Sequence, residues 1–298
     1  MPFPPRNEFT WKLRSCALTL GPRTLIMGVL NVTPDSFSDG GQHASPDSAA
    51  AHALHLLDEG ADILDIGGES TRPGRHAQVS PEEEQGRILP VIESILMTRP
   101  SAILSVDTWH ASTARAAVDA GAEIVNDVSG FMWDPEMPKT CSSLQCGIVL
   151  MHSRGRPEEW HTLPPLERDE ALPFVGAGLE ISMGKAFDAG ITGDHIVIDP
   201  GYGFGKAFGE NFTLLARQHE LRSLGRPILA GVSRKSFLGR ALADLHNGSD
   251  VPVSARGNAT LAATTAAILN GAHIVRVHDV RPAVEAARIA DAILAALA

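Results

Sequence analysis

Short apolar runs rich in β-branched residues recur eight times along the 298-residue chain, in alternation with longer stretches of helical spacing. The runs are too short for helices and lack the alternating polarity of half-exposed strands. Both properties are typical of parallel strands that are buried on both faces. The runs occupy residues 25–30, 63–66, 103–106, 124–125, 148–151, 196–198, 228–229 and 274–277.

Capping residues mark the first helices in the sequence. Ser45 and Ser80 each precede a proline and acidic residues, a favourable start for a helix, and Gly60 closes the first of these helices. Further helices are predicted at 112–120, 135–145, 170–189, 212–223, 255–270 and 281–297.

Eight alternations of strand and helix predict an α/β fold, a single-domain (β/α)8 TIM barrel. A doubly wound open sheet is the alternative. No linker rich in Gly, Ser or Pro divides the chain. We therefore expect residues 1–22 to form an N-terminal segment whose hairpin caps the barrel bottom, and residues 23–298 to form the barrel.

Composition excludes several classes of protein. A net charge of −10 disfavours nonspecific binding to nucleic acid or to an anionic membrane, although local Arg and Lys side chains can still hold a small anion. No apolar run reaches the roughly 18 residues that span a bilayer, and the N-terminus has no apolar segment of a signal peptide.

The three cysteines, Cys16, Cys141 and Cys146, are not in CxxC spacing. We interpret them as structural thiols of a cytoplasmic enzyme.

Polar residues follow every predicted strand, and in a barrel the carboxyl ends of the strands meet on one face. A single aspartate at such a place is more simply a turn or capping residue, but caps do not use Arg, Lys and His. The pattern therefore predicts one polar site. Its candidate residues are Asn31, Asp65, Glu69, Thr71, Arg72, Asp107, Asn126, Asp127, His152, Asp199, Ser233, Arg234, Lys235, Arg276 and His278.

The stretch VIDPGYGFGK at 197–206 contains the sixth strand end. Pro200 and Gly201 should turn the chain sharply and leave Asp199 facing the cleft, while the glycines let the backbone approach a flat ligand. It is not a P-loop, because GxxxxGK[ST] is absent. Lys206 is interpreted as an exposed loop lysine in preference to a ligand contact.

Eight stretches, in chain order and one at each strand end, resemble the dihydropteroate synthase family. NVTPDSFSDGG and SRKSFLG are the specific ones, whereas SVDT alone is weak. The family's tyrosine-aspartate-valine stretch after the fifth strand is replaced by EEWHTLPPLERDEALPF (158–174), which leaves the path of that loop open. The matching stretches are MGVLNVTPDSFSDGG (27–41), DIGGESTRPG (65–74), SVDT (105–108), NDVSG (126–130), LMH (150–152), DPGYGFGK (199–206), GVSRKSFLG (231–239) and RVHDV (276–280).

The resemblance implies a transferase of folate biosynthesis, from the family that sulfonamides target, and a cytoplasmic homodimer that uses Mg²⁺. It would condense 6-hydroxymethyl-7,8-dihydropterin pyrophosphate with 4-aminobenzoate to give 7,8-dihydropteroate and pyrophosphate. The implied pterin contacts are Asp107, Asn126, Met151, Asp199, Phe204, Lys235 and Arg276. The implied pyrophosphate contacts are Asn31, Thr71, Arg72, Arg276 and His278. The implied aminobenzoate contacts are Phe37, Thr71, Arg72, Pro73, Lys235 and Ser236. Asn31 and Asp35 are the implied Mg²⁺ ligands, and Asn31, Asp107, Lys235, Arg276 and His278 the catalytic residues.

The mechanism implied is dissociative, with pyrophosphate leaving before the aniline attacks. Residues 33–41 and 70–74 are expected to become ordered around pyrophosphate and so to complete the aminobenzoate site. Two other functions share the pattern in part. A pterin-dependent methyltransferase would not need ESTRPG or SRKS, and a non-catalytic paralogue would be expected to lose one of the catalytic residues, all of which are present.

Overall fold

The computed structural model describes residues 3, 5–33, 46–69 and 79–297. Eight parallel strands form one sheet, and nearly all of their residues are buried. Two further strands form an antiparallel hairpin near the N-terminus. The strands are β1 (Phe9–Lys12), β2 (Ala17–Leu20), β3 (Leu25–Asn31), β4 (Ile63–Gly67), β5 (Leu104–Asp107), β6 (Ile124–Asp127), β7 (Gly147–Met151), β8 (Ile196–Asp199), β9 (Leu229–Ala230) and β10 (Ile274–Val277).

The parallel sheet closes into a barrel. Its strand order is β8-β7-β6-β5-β4-β3-β10-β9, and a parallel bridge between Ile198 and Ile228 joins the two ends. The predicted (β/α)8 barrel is therefore confirmed, and the alternative of an open, doubly wound sheet is wrong.

Helices connect the strands and pack around the barrel. They are α1 (Pro46–Asp58), α2 (Pro81–Thr98), α3 (Ala111–Asp119), α4 (Met137–Leu144), α5 (Ala171–Asp188), α6 (Phe208–Arg217), α7 (Ser236–Ala241), α8 (Gly257–Leu269) and α9 (Val280–Ala295). Ser80 caps α2 as predicted, because its side chain accepts a hydrogen bond from the backbone N–H of Glu83 at 3.2 Å.

Two helical predictions are corrected by the structure. The helix predicted at 212–223 begins earlier, at Phe208, and gives way to a 3₁₀ segment, Gln218–Leu224. The short helix α7 is not among the helices predicted from the sequence, because its six residues are too few to show a helical period. No helix in the described ranges is long and apolar enough to cross a bilayer.

The N-terminal hairpin lies across the end of the barrel at which the strands begin. Trp11 is only 1% exposed and packs in one cluster with Leu25, Ile63 and Ile274, each at or near the start of a strand. Its indole N–H donates to the carbonyl of His195 at 2.9 Å, immediately before β8. The hairpin therefore covers the face opposite the strand ends that carry polar residues.

Candidate active site

Five polar side chains meet at the carboxyl end of the barrel. Asp107 and Asp199 are the last residues of β5 and β8. Asn126 and Arg276 are each the third residue of their strand, β6 and β10, and Lys235 precedes the first residue of α7. The structure thus brings together the carboxylates, the amide and the cations that the sequence singled out.

Asp65 of β4 is the centre of the hydrogen-bond network beneath these side chains. It is completely buried, and its carboxylate accepts from Ser105 Oγ at 2.6 Å and from Asn126 Nδ2 at 3.0 Å. Arg276 Nε donates to Asp65 Oδ2 at 2.6 Å. Because a carboxylate only accepts, the amide nitrogen of Asn126 must face Asp65, which leaves the amide oxygen to accept from a ligand.

Arg276 joins two carboxylates of neighbouring strands. Its Nη2 donates to Asp107 Oδ2 at 2.6 Å, in addition to the bond to Asp65. Burial opposes the charge of Arg276, but the two carboxylates raise the pKa of its guanidinium. Burial raises the pKa of Asp107 to about 7, and the nearby Arg276 acts in the opposite direction. The fork of Arg276 is thereby fixed in one plane.

Asp199 presents one carboxylate oxygen to the loop that follows it. Gly201 N donates to Asp199 Oδ1 at 2.7 Å. A Cβ atom placed on Gly231 would lie 3.7 Å from the other oxygen and 3.9 Å from Arg276 Cβ, so Gly231 lies between the two. Burial raises the pKa of Asp199 to about 6.

Lys235 brings a cation over an aromatic ring. Its Nζ lies 3.9 Å from the centroid of the Phe204 ring, the range of a cation–π contact. Burial and the neighbouring Arg276 lower the pKa of Lys235 to about 8. Phe204, Met151 and Val128 form one apolar cluster, which gives the polar floor an apolar wall.

Three tryptophans extend this wall toward solvent. Trp160 meets Phe204 edge-on, with the ring centroids 5.3 Å apart, and Trp109 meets Trp133 in the same way at 5.8 Å. The guanidinium of Arg156 lies over both Trp109 and Trp133. Both Trp160 and Arg156 belong to the loop after β7, and Trp160 is part of the stretch 158–174 that departs from the family pattern, so this stretch packs beside the candidate site.

The remaining described candidates lie around the same face. Asn31 is half-buried at the end of β3. Ser233 Oγ and His278 Nδ1 are 3.0 Å apart, and both residues follow strands of the barrel. Ser236 is exposed and begins α7. The predicted ligand contacts Asp35, Phe37, Thr71, Arg72 and Pro73 lie outside the described residues.

Two of the polar strand-end residues have structural partners, and a third, His152, meets the Phe174 ring edge-on with the ring centroids 5.6 Å apart. Asp127 is buried and accepts from the backbone N–H groups of Ser129 and Phe131, so it shapes the loop after β6. Arg234 forms a bidentate ion pair with Asp279. His152 is buried, and burial lowers its pKa to about 2. For these residues the simpler interpretation, a structural one, agrees with the contacts.

Lys206 is not the exposed loop lysine that the sequence favoured. It is partly buried, and its ammonium donates to three backbone carbonyls, those of His152, Gly201 and Phe204. The interpretation failed because a glycine-rich sequence does not show which way the peptide carbonyls point.

The sequence contains a signal for the role of Asp65 beyond its place among the strand-end residues. Asp65 is the third of five residues in β4, I-L-D-I-G, so it interrupts a strand that is buried along its whole length. A carboxylate at such a position must be paired or hydrogen-bonded, since burying it alone would be very unfavourable.

Comparison with known proteins identifies the family. The sequence profile of the pterin binding enzymes matches residues 27–278. The Bacillus subtilis dihydropteroate synthase is 42% identical over 279 residues, covering 93% of this chain and 91% of the relative. This chain belongs to the dihydropteroate synthase family. The resemblance seen in the motifs is confirmed, and the chain is accordingly a transferase.

Solved structures of this family share the fold of the chain. A Xanthomonas albilineans dihydropteroate synthase with 4-aminobenzoic acid superposes with a TM-score of 0.86 at 39% identity, covering 97% of this chain and 99% of that one. A Yersinia pestis dihydropteroate synthase in complex with a sulfonamide drug also gives 0.86, at 37% identity, covering 97% and 100%. The dihydropteroate synthase barrel therefore holds over nearly the whole length of the chain.

Proposed function

We propose that this chain condenses 6-hydroxymethyl-7,8-dihydropterin pyrophosphate with 4-aminobenzoate, and releases 7,8-dihydropteroate and pyrophosphate. The observation that carries the proposal is the polar floor of Asp107, Asn126 and Asp199 beside Lys235 and Arg276 in a chain of the dihydropteroate synthase family.

The polar floor suits the pterin ring. A pterin presents an edge of N–H donors, and Asp107, Asp199 and the amide oxygen of Asn126 are acceptors. Asp199 is the proposed bidentate partner, because carboxylates pair most strongly with such a fork of donors. Lys235 would donate to the acceptor side of the ring, while Met151 and Phe204 pack against it.

The reaction is proposed to be dissociative. The bond from the pterin methylene carbon to the pyrophosphate oxygen breaks first, and the electron pair leaves with the pyrophosphate. The electron-rich dihydropterin stabilises the methylene cation that remains. The aniline nitrogen then forms the new C–N bond and loses a proton to water or to a pyrophosphate oxygen. Arg276, Asn31 and His278 are proposed to hold the leaving group, so catalysis depends on positioning and charge.

Mg²⁺ is proposed as the cofactor, with Asn31 and Asp35 as its protein ligands. The half-buried amide of Asn31 at the end of β3 offers the hard oxygen that Mg²⁺ prefers. Across the part of the chain that the structure describes, no three His, Cys, Asp or Glu side chains cluster closely enough to hold a metal. Mg²⁺ is commonly bound by one or two protein oxygens together with substrate phosphates, so two ligands suffice. When bound, it would neutralise charge on the pyrophosphate.

A cytoplasmic homodimer is the proposed state of the protein. All three cysteines are free thiols, as expected in a reducing compartment. Phe212 is 36% exposed beside an apolar groove between α6 and α8, which offers a surface for a second copy.

A turnover assay tests the proposed reaction. Pyrophosphate release should require both the dihydropterin pyrophosphate and 4-aminobenzoate, and should be lost in Lys235→Ala. Release that does not depend on 4-aminobenzoate would indicate hydrolysis alone. A folded protein that binds pterin without turnover would indicate a binding paralogue.

A further inference from the structure

Lys206 lies in a cradle of backbone carbonyls at the end of the glycine-rich loop after β8. Its Nζ donates to the carbonyl oxygens of His152 at 2.9 Å, Gly201 at 2.8 Å and Phe204 at 3.1 Å. An ammonium has three N–H donors, so all of them are used on the backbone and none on a carboxylate. The lysine thereby ties its own loop to the residue that follows β7.

The glycines make this cradle possible. Gly201, Gly203 and Gly205 all have positive φ, at +68°, +81° and +67°. A Cβ atom would lie 2.0 Å from the carbonyl oxygen of His152 at Gly201, and 2.5 Å from that of Arg154 at Gly205. Glycine-rich phosphate loops turn N–H groups inward around an anion. Here carbonyls turn inward around a cation from the same loop.

The loop carries two groups of the candidate site. Gly201 N donates to Asp199 Oδ1 at 2.7 Å, which fixes that carboxylate. The Phe204 ring lies 3.9 Å from Lys235 Nζ. The carbonyls of Gly201 and Phe204 are two of the three that Lys206 holds, so its ammonium is one hydrogen-bonded step away from both groups.

We infer that Lys206 is a positioning residue for the pterin: its ammonium holds the loop 199–206 against the end of β7, so that Asp199 and Phe204 face the ligand. The inference rests on the proposed function, since pterin is the ligand whose binding reports it. Lys206 itself touches the loop and not the substrate.

A pH dependence follows from the same contacts. Burial lowers the pKa of Lys206 to about 7, and the charged groups that face it are Asp199, Lys235, Glu210 and Arg154. Above that pH the neutral amine has only two N–H donors for three carbonyls, and its lone pair would face the third. The contribution of Lys206 to pterin affinity should therefore be lost as pH rises through about 7. Ionisation of Asp107, whose pKa is also about 7, acts in the opposite direction, so the Lys206 contribution is the difference between the pH profiles of the parent and of Lys206→Met. Loss of the Lys235 proton, whose pKa is about 8, adds a second decrease.

Two variants of Lys206 and one control in the same loop test the inference. Lys206→Met keeps an aliphatic stem and removes all donors, whereas Lys206→Gln replaces the ammonium with a neutral amide that has two N–H donors. The control is Tyr202→Phe, which removes the buried hydrogen bond from Tyr202 Oη to Gln218 Oε1 at 2.7 Å but no contact to the carbonyls. Binding of 6-hydroxymethyl-7,8-dihydropterin and of pyrophosphate with Mg²⁺ is measured by calorimetry on the whole protein.

In Lys206→Met we expect the dissociation constant for the pterin to rise at least tenfold, with a smaller rise in Lys206→Gln. The constant for pyrophosphate should stay within twofold in both variants. The Lys206 contribution to the pH dependence near pH 7 should disappear in Lys206→Met, whereas the decrease in pterin affinity near pH 8 should remain. Tyr202→Phe should lower the melting temperature without changing pterin affinity.

Three results would overturn the inference: pterin affinity within twofold of the parent in a folded Lys206 variant, an equal loss of affinity in Tyr202→Phe, or an unchanged pH profile. Lys206→Gln keeps the test valid if Lys206→Met does not fold. Failure of the proposed reaction looks different, because pyrophosphate release would then be absent in the parent protein itself.

Discussion

Asp199 is held by the fold through one oxygen, because Gly201 N donates to Oδ1, and the second lone pair of Oδ1 together with Oδ2, which faces Gly231, is left for the ligand. We expect Asp199→Asn to keep the shape of the site but to raise the dissociation constant for the pterin at least tenfold, since a charge-assisted pair is lost. The pKa of Asp199 is about 6. In the parent, affinity should therefore fall as pH drops below 6 and the carboxylate takes up a proton, and this contribution should vanish in the variant. Calorimetry that shows equal pterin affinity in a folded Asp199→Asn would refute the assignment.

Asp65 is expected to matter for stability as well as for binding, because it is the buried partner of Arg276. Asp65→Leu leaves that guanidinium without one of its two carboxylates, and breaking a buried ion pair in this way costs roughly 3–5 kcal/mol. The control is Glu285→Gln, which removes the exposed ion pair with Arg281 and should change stability by at most about 1 kcal/mol. Urea denaturation measures both. Similar small changes in the two variants would contradict the central role given to Asp65.

The residues of the site could be predicted only in part from the sequence. Asp107, Asn126, Asp199, Lys235 and Arg276 were recognisable because each lies at or near a strand end, and the barrel brings those ends together. The partners of each group could not be predicted, since they come from residues far apart in the chain: Arg276 meets Asp65 across 211 positions. The contacts of Lys206 could not be predicted either, because its cradle adds the carbonyl of His152 to two carbonyls of its own loop whose direction the sequence does not show.

A substitution in the N-terminal hairpin should lower the stability of the protein without changing its activity. Trp11 of β1 is buried among residues that begin the barrel strands, on the face opposite the site. Trp11→Ala should destabilise the protein by roughly 3–5 kcal/mol, as expected for a large buried aromatic side chain. KM values of the folded variant should be unchanged. The matched control is Lys12→Ala, because the Lys12 side chain in the same strand is 55% exposed. A changed pterin KM in folded Trp11→Ala would show that the hairpin influences the opposite face.

The elements themselves were largely predictable, and the exceptions have physical causes. Runs of β-branched residues identified the eight barrel strands, because these runs are too short for helices and lack the alternating polarity of half-exposed strands. The helix α6 begins at Phe208, four residues before the start predicted from the sequence. Its first turn, with Phe208 and Gly209, follows directly on the glycine-rich loop, and Ala207 carries no side-chain cap to mark the boundary.

At the scale of the whole molecule, a chain of net charge −10 binds anionic substrates only through a local concentration of cations. Lys235 and Arg276 provide it within the barrel, and each is partly buried near carboxylates. An acidic chain is therefore compatible with an anionic substrate, because the field at the anion depends on the nearest charges. The same acidic exterior means that association of two chains must rely on apolar surface.

The groove between α6 and α8 offers such a surface, with a volume of about 790 Å³. Leu166 of the loop after β7 and Phe212, Leu215, Ala216 and Ala266 form its apolar walls, and the charged residues Arg168, Asp169, Glu210 and Arg217 also line it. We expect light scattering at micromolar concentration to give about twice the 31.6 kDa of one chain. Phe212→Asp should convert the dimer to a monomer, because it places a charge in the apolar wall of this groove. Met97→Asp, at a side chain that is 81% exposed on α2, should leave the mass unchanged.

Ile289→Asp, on the exposed side of α9, tests the alternative that the C-terminal helix forms the interface. A monomer mass for the parent would contradict the proposed homodimer. A monomer in Ile289→Asp but not in Phe212→Asp would move the interface to α9.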